Sequence, residues 1–355
     1  HLMAELFESH NKEQFEIFAF SFGPNKNDSW RDRVKLSFDE FLDVSLVSDY
    51  QITLLAKEKE IDIAIDLKGY THNSRPQIFS EGCAPIQVSY LGYPGTMGAK
   101  FIDYLIADRI LIPKKEQKHY SEKIVYMPDS YQVNMSKRTI SKSYFSRENL
   151  GLPEKGFVFC CFNNNYKVTP STFASWARIL KAVDGSVLWL FETNSFSSSQ
   201  LKKEATKYGV HEKRLVFAKR LPVEEHLSRI QQADLFLDTF PYNAHTTCSD
   251  ALRVELPILT LMGKSFASRV AASLLESIDL SELIVSSISE YESLAIELAL
   301  NPKKLSNIKN KIATNILSTS LFDSQLFTKK LEEAYFKMNK TRQNNSKHQH
   351  IYIDH

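Results

Sequence analysis

The amino-acid sequence predicts an α/β protein built from two doubly wound domains, and three observations carry that prediction. Short runs rich in Val, Ile and Phe alternate with longer segments of helical period, the pattern of parallel strands joined by crossover helices. The chain has 355 residues, more than the roughly 100–200 of a single domain. The apolar runs also fall into two sets on either side of a polar stretch rich in Ser, Lys, Asn and Arg, and each set is large enough for its own sheet.

In chain order the first set of strands is predicted at 15–21, 61–66, 87–91, 104–107 and 123–126. The second set falls at 157–161, 186–191, 215–218, 235–238, 258–261 and 283–285. These give a first lobe over 1–135, a linker over 136–153 and a second lobe over 154–316. The region 289–338 has helical period with Phe327, Leu331, Tyr335 and Met338 on one stripe, and its last helix, 317–338, is expected to return to the first lobe. From 339 to 355 the chain is polar and His-rich, which predicts a loose tail in which His348, His350 and His355 hold no metal. The chain opens His1-Leu2-Met3 and passes through an amphipathic segment into the strand-like FEIFAFSF, the expectation being a fragment that starts inside a domain.

Composition narrows the function classes. Apolar residues make up 43% and charged residues 24%, an ordinary globular balance. The net charge is +2 with dispersed lysines, so neither nucleic acid nor an anionic membrane is an expected partner. No apolar run reaches the roughly 18–20 residues of a bilayer span and no leader pattern is evident, so a cytoplasmic protein is expected. Cys83, Cys160, Cys161 and Cys248 lack CxxC spacing, and adjacent strand residues point to opposite faces, so they read as reduced packing residues. Phosphate loops of the GxxxxGK[ST] type, HExxH helices and GxSxG elbows are missing from the sequence.

Parallel sheets bind ligands at the carboxyl ends of their strands, so the strand exits hold the candidates. FLDTFPYNAHTTCSDALRVELP places His245, Thr246 and Thr247 at the start of a helix, where free N–H groups and the dipole attract phosphate. Asp250 follows Thr246 by four residues on the same face, placed to accept ribose hydroxyls; an ordinary N-cap has the same spacing. CCFNNNYKVTPSTFASW puts Asn164, Tyr166 and Lys167 after a strand, where a lysine neutralises a departing diphosphate or is simply solvated. His226 and Arg229 share one helical face just upstream of the His245 loop, as donors for a base and its phosphates or as plain helix surface. In the first half, Gly92, Pro94 and Gly95 form a tight loop after a strand, and Arg75 is placed to pair with an acidic or polar acceptor, although punctuation explains the loop equally.

The phrases DLKGYTHNSR, APIQVSYLGYPGTMGAKFIDYLIAD, HYSEKIVYMPDSYQ, FNNNYKVTPSTFASWARIL, EEHLSRIQQADLFLDT, NAHTTCSDAL and LFDSQLFTKKLEEAY, in this order, resemble the catalytic region of the SPINDLY and O-linked N-acetylglucosamine transferase family. The resemblance runs from His1 to about Met338. It implies a GT-B fold, two Rossmann-like domains facing a cleft, and an inverting, metal-independent, cofactor-free transfer of N-acetylglucosamine from UDP-GlcNAc to Ser or Thr hydroxyls of proteins. By motif match Lys167 is catalytic and holds the diphosphate, while His245, Thr246 and Thr247 cradle the phosphates and Asp250 the ribose. His226 and Arg229 lie toward the uridine, Asn164 stands for a family glutamine at the nucleotide, and Leu221 belongs to the same donor set. Gly92 and Pro94 border the sugar ring, and Arg75 positions the acceptor.

Three departures bear on function. Animal relatives carry a lysine at the place of Val223 and a cysteine at that of Tyr242, which touches base stacking and donor choice. The family's HP histidine lies upstream of the segment matching His1, so the chain alone is expected to be a poor catalyst, and tetratricopeptide repeats that recruit acceptors are expected further upstream. The competing readings are a protein O-fucosyltransferase using GDP-fucose, another UDP-sugar enzyme such as an epimerase or a glycan-directed transferase, and a non-catalytic nucleotide-sugar sensor.

Overall fold

The structure, a computed structural model, describes residues 2–24, 28–143 and 145–354; His1, where the resemblance begins, and His355 of the expected tail lie outside the described residues. Its strands are β1 Phe18–Ser21, β2 Glu40–Asp43, β3 Ile63–Asp66, β4 Ile86–Ser89, β5 Tyr104–Asp108, β6 Lys123–Met127, β7 Val158–Cys161, β8 Val187–Phe191, β9 Leu215–Ala218, β10 Leu235–Leu237, β11 Ile258–Leu261, β12 Ile284–Val285 and β13 Ile351–Tyr352. The chain divides into two compact units, His1–Ser136 with Ser320–His355, and Lys137–Thr319. The polar residues after Ser136, expected as linker, are thus counted with the second unit.

In the first unit five parallel strands stand in the order β13-β6-β5-β4-β3. β4 and β5 are buried along their whole length, as strands covered on both faces must be. β1 does not join this sheet; it pairs in parallel with β2, a strand the sequence reading did not anticipate. The segment EFLD carries two acids around two apolar residues and none of its four residues is buried, so it shows no apolar run. A core of Val44, Ile52, Ile78, Phe79, Met97 and Ile102 links these layers.

The expectation of a loose tail is corrected. The helix that begins at Ser324 continues to Gln343 and buries Leu331, Tyr335 and Met338, while the next residues return to the sheet edge. Ile351 pairs with Val125 and Tyr352 with Tyr126, and Ile353 is buried. His350 Nδ1 accepts from the N–H of Ile124 at 2.9 Å, and His348 Nδ1 lies 2.9 Å from the Tyr104 hydroxyl. The apolar triplet 351–353 supplies the driving force, hidden in the sequence by polar neighbours.

The second unit is a six-stranded parallel sheet ordered β12-β11-β10-β7-β8-β9. Phe159, Phe236, Trp176 and Trp189 fill its core and are at most 1% exposed. Thr169 caps the helix Pro170–Ala182 by accepting from the Thr172 N–H, with Pro170 at its first position, where the missing N–H costs nothing. Among the described residues no helix is long and apolar enough to cross a membrane.

Candidate functional site

The second sheet changes winding direction between β7 and β10, which lie side by side with Leu235 opposite Phe159 and Phe236 opposite Cys160. β8 and β9 lie to one side of this pair and β11 and β12 to the other. The loops that follow β7 and β10 therefore lead to opposite sides of the sheet at its carboxyl edge, the switch point where doubly wound sheets bind ligands.

Asp238 heads the loop after β10 and is fully buried. Its Oδ1 accepts from the N–H groups of Thr239 at 2.8 Å and Ala244 at 2.6 Å and from Asn163 Nδ2 at 3.2 Å, and its Oδ2 accepts from Thr260 Oγ1 at 2.7 Å. One carboxylate thus closes the 239–244 turn and ties it to the exits of β7 and β11. Burial lifts its pKa to about 6, against the hydrogen bonds from Thr260 and Ala244 and the charge of Lys167. The Tyr291 hydroxyl donates to the Asp238 carbonyl at 2.9 Å and accepts from Trp176 Nε1 at 3.2 Å, which anchors the turn to the core.

This turn delivers the backbone to helix Thr246–Arg253, whose N-cap residue, His245, makes no capping bond. The N–H groups of Thr246 and Thr247, which have no intrahelical acceptors, are therefore not covered by the cap side chain, whereas that of Cys248 donates to the His245 carbonyl at 2.9 Å. The His245 Nε2–H points to the Ala267 carbonyl at 3.4 Å, and its pKa is pushed down to about 3, by burial first and then by Lys167. Thr247 Oγ1 donates to Asn163 Oδ1 at 2.5 Å. From the β7 side, Lys167 ends a single 3-10 turn, Asn165–Lys167, and its Nζ donates to the Asn243 carbonyl at 2.7 Å while lying 4.0 Å from the centroid of the Tyr242 ring. Burial lowers the pKa of this ammonium, and Asp238 and Cys161 oppose the shift. A cation and an uncapped helix start thus share one place, a combination suited to phosphate.

The remaining candidates of this unit divide by what they touch. Arg229 is 3% exposed, and its Nε donates to His226 Nδ1 at 3.1 Å and its Nη1 to the Lys219 carbonyl at 2.6 Å, which orients His226. His226 stands edge-on to Phe162 with centroids 4.9 Å apart, and burial, Arg229 and Arg138 push its pKa down to about 3. Leu221 is half-buried just ahead of helix Val223–Ile230. Asn164 is exposed and its side chain accepts from the Tyr166 N–H at 3.4 Å, capping the 3-10 turn. Asp250 is 6% exposed and forms an ion pair with Arg138.

In the first unit, Gly92 and Pro94 occupy the loop at the carboxyl end of β4, next to the loop after β3. A Cβ on Gly92 would meet the Leu67 carbonyl oxygen at 2.0 Å, so any side chain there would separate the two loops. Arg75 donates to Asp49 Oδ1 at 2.5 Å, to the Val44 carbonyl at 3.2 Å and to the Val47 carbonyl at 2.5 Å. These bonds use three of the five guanidinium N–H groups and hold the side chain inside the unit.

Sequence reasoning missed Asn163, Asp238 and Arg138. The period of two along β7 held the signal for Asn163: it lies on the side of Cys161 and points inward, whereas Asn164 points out. Asp238 reads as the last residue of a strand, and its hub becomes visible only when β7 and β11 are set beside it.

The folding pattern defines the class: this is a GT-B protein, with a fold shared by an O-GlcNAc transferase mutant from Thermobaculum terrenum, 28% identical with a TM-score of 0.87 over 96% of this chain and 64% of that one. Anabaena HepE, solved with UDP and glucose, shares the fold at 12% identity and a TM-score of 0.61 over 94% of this chain and 95% of that one. The chain belongs to glycosyl transferase family 41, whose family model matches residues 1–143 and 136–331. It is 39% identical over 95% of its length to the probable UDP-N-acetylglucosamine–peptide N-acetylglucosaminyltransferase SEC of Arabidopsis thaliana, and 26% identical over 95% of its length to the Caenorhabditis elegans UDP-N-acetylglucosamine–peptide N-acetylglucosaminyltransferase. It spans 35% and 39% of those two proteins.

Proposed function

We propose that the full-length protein holds UDP-GlcNAc at this switch point and transfers N-acetylglucosamine to serine or threonine hydroxyls of proteins. The observation that carries the reading is the Lys167 ammonium, 2.7 Å from the Asn243 carbonyl and just ahead of a helix start that has no capping side chain. The names of the relatives supply the donor and the peptide acceptor. Upstream tetratricopeptide repeats that present the acceptor, and a cytoplasmic setting in line with four buried free thiols, belong to the same proposal.

In this reading the acceptor oxygen attacks the anomeric carbon while the bond to the diphosphate oxygen breaks, inverting the centre, and the hydroxyl proton passes to a base. UDP leaves with the negative charge that develops. Lys167 and the N–H groups of Thr246 and Thr247 meet that charge, the part a metal ion would otherwise fill; one such donor is typically worth about 10²–10³ in rate. Asp250 takes the ribose, and His226, held by Arg229, lies at the base.

The test measures thermal shift with UDP and with GDP, then incubates the full-length protein with labelled UDP-GlcNAc and candidate proteins. UDP is expected to stabilise the fold and label to enter protein; in Lys167→Ala turnover falls at least about 10²-fold while the fold stays intact. Stabilisation by GDP alone would place the protein with GDP-fucose enzymes. Label confined to small molecules would make it a different UDP-sugar enzyme.

A further inference from the structure

Residues 137–143, at the start of the second unit, form a strap bound to both helices that carry the nucleotide candidates. The Ser141 N–H donates to the Glu224 carbonyl at 3.0 Å and Ser228 Oγ donates to the Ser143 carbonyl at 2.9 Å, fixing the strap to helix Val223–Ile230. Arg138 reaches the other helix, Thr246–Arg253, where its Nη1 donates to Asp250 Oδ1. The two side chains are 7% and 9% exposed, and Arg138 Nε is buried with no hydrogen-bond partner. The charge of Arg138 is also felt by His226 across the gap between the helices.

A carboxylate buried this deeply favours its neutral form, and Arg138 works against that tendency at Asp250. The difference matters to a ribose. An ionised carboxylate accepts hydrogen bonds on both oxygens, whereas a protonated one spends an oxygen as a donor. The guanidinium occupies Oδ1 and leaves Oδ2 to receive a hydroxyl. As a device for stability alone the pair is a poor investment, because a buried ion pair is often no better than apolar residues of the same volume.

We propose that Arg138 is a positioning residue for the donor nucleotide: its guanidinium turns the Asp250 carboxylate so that the free oxygen accepts a ribose hydroxyl. The strap thereby makes ribose recognition depend on residues outside both site helices. This inference rests on the nucleotide reading of the site given above.

The test is calorimetric titration of the full-length protein with UDP and with its 2′,3′-dideoxy analogue. The wild type is expected to prefer UDP by about 10-fold or more, the worth of a hydrogen bond to a charged group. In Arg138→Met the affinity for UDP falls to that of the analogue, while the affinity for the analogue is unchanged. Asp250→Ala shows the same loss, and the double variant loses no more, because both changes remove one interaction. Arg138→Gln, which keeps bulk and one donor but no charge, guards against a folding failure of the methionine variant and is expected to lower the preference. A preference that survives in Arg138→Met, or in Arg138→Gln where the methionine variant does not fold, overturns the proposal. So does an equal loss for both ligands, which marks a merely structural arginine. A wild type that binds neither ligand removes the nucleotide reading itself, a result separable from failure of Arg138 alone.

Discussion

Asp238 shows how one side chain sets the geometry on which the site depends. Four donors converge on it, two of them backbone N–H groups of the turn that leads to His245. In Asp238→Ala these donors lose their acceptor inside a dry core, at a cost of about 3–5 kcal/mol. Asp238→Asn keeps the oxygen that faces the three N–H groups and presents an amide to the Thr260 hydroxyl, which can rotate to accept. Denaturant melts are expected to show a loss of several kcal/mol for alanine and below about 1.5 kcal/mol for asparagine. A similar large loss for both would mean that the charge, and not the acceptor geometry, holds the turn. At this scale the sequence exposed Lys167 and the His245-Thr246-Thr247 start, because those residues sit at recognisable strand exits. It concealed Asn163, Asp238 and Arg138, whose roles exist only through neighbours distant in the chain.

At the scale of elements, the predicted strands of the second unit are all present within about two residues of the expected bounds, because buried parallel strands read as continuous apolar runs. β2 and β13 escaped notice for the converse reason: each lies at the margin of its sheet and is short, and β13 contributes its paired residues inside a polar stretch. β13 nevertheless covers the edge of β6 and buries Ile351 and Ile353. Truncation after Asn344 removes those side chains and uncovers the edge, and loss of two buried isoleucines costs on the order of 3–5 kcal/mol. The truncated protein is expected to melt several degrees lower and to exchange the β6 amides faster. Unchanged melting and exchange would return the tail to the loose segment that its composition predicts.

At the scale of the whole molecule, the buried titratable groups give the fold a defined response to acid. His226 and His245 have pKa values near 3 in the folded chain, below the unfolded value of 6.5, so the stability they contribute is complete above pH 6.5 and declines as pH falls toward 3. Asp238 is raised to about 6 from 3.8, so it acts in the opposite sense, favouring the folded state as pH falls through 6. At about 1.4 kcal/mol per pH unit for each group, two histidines outweigh one aspartate. Stability is expected to drop by on the order of 2–3 kcal/mol between pH 7 and pH 5, and His226→Gln should flatten the drop; a profile that rises toward pH 5 would show these imidazoles to be protonated in the folded chain.

Donor binding in the proposed function requires a negatively charged diphosphate resting between the Lys167 ammonium and the start of helix Thr246–Arg253. A crystal structure with UDP tests this most directly. The prediction is diphosphate oxygens within hydrogen-bond distance of Lys167 Nζ and of the Thr246 or Thr247 N–H, with Nζ released from the Asn243 carbonyl. UDP bound elsewhere, or bound here with Lys167 still on Asn243 and turned from the phosphates, would contradict it.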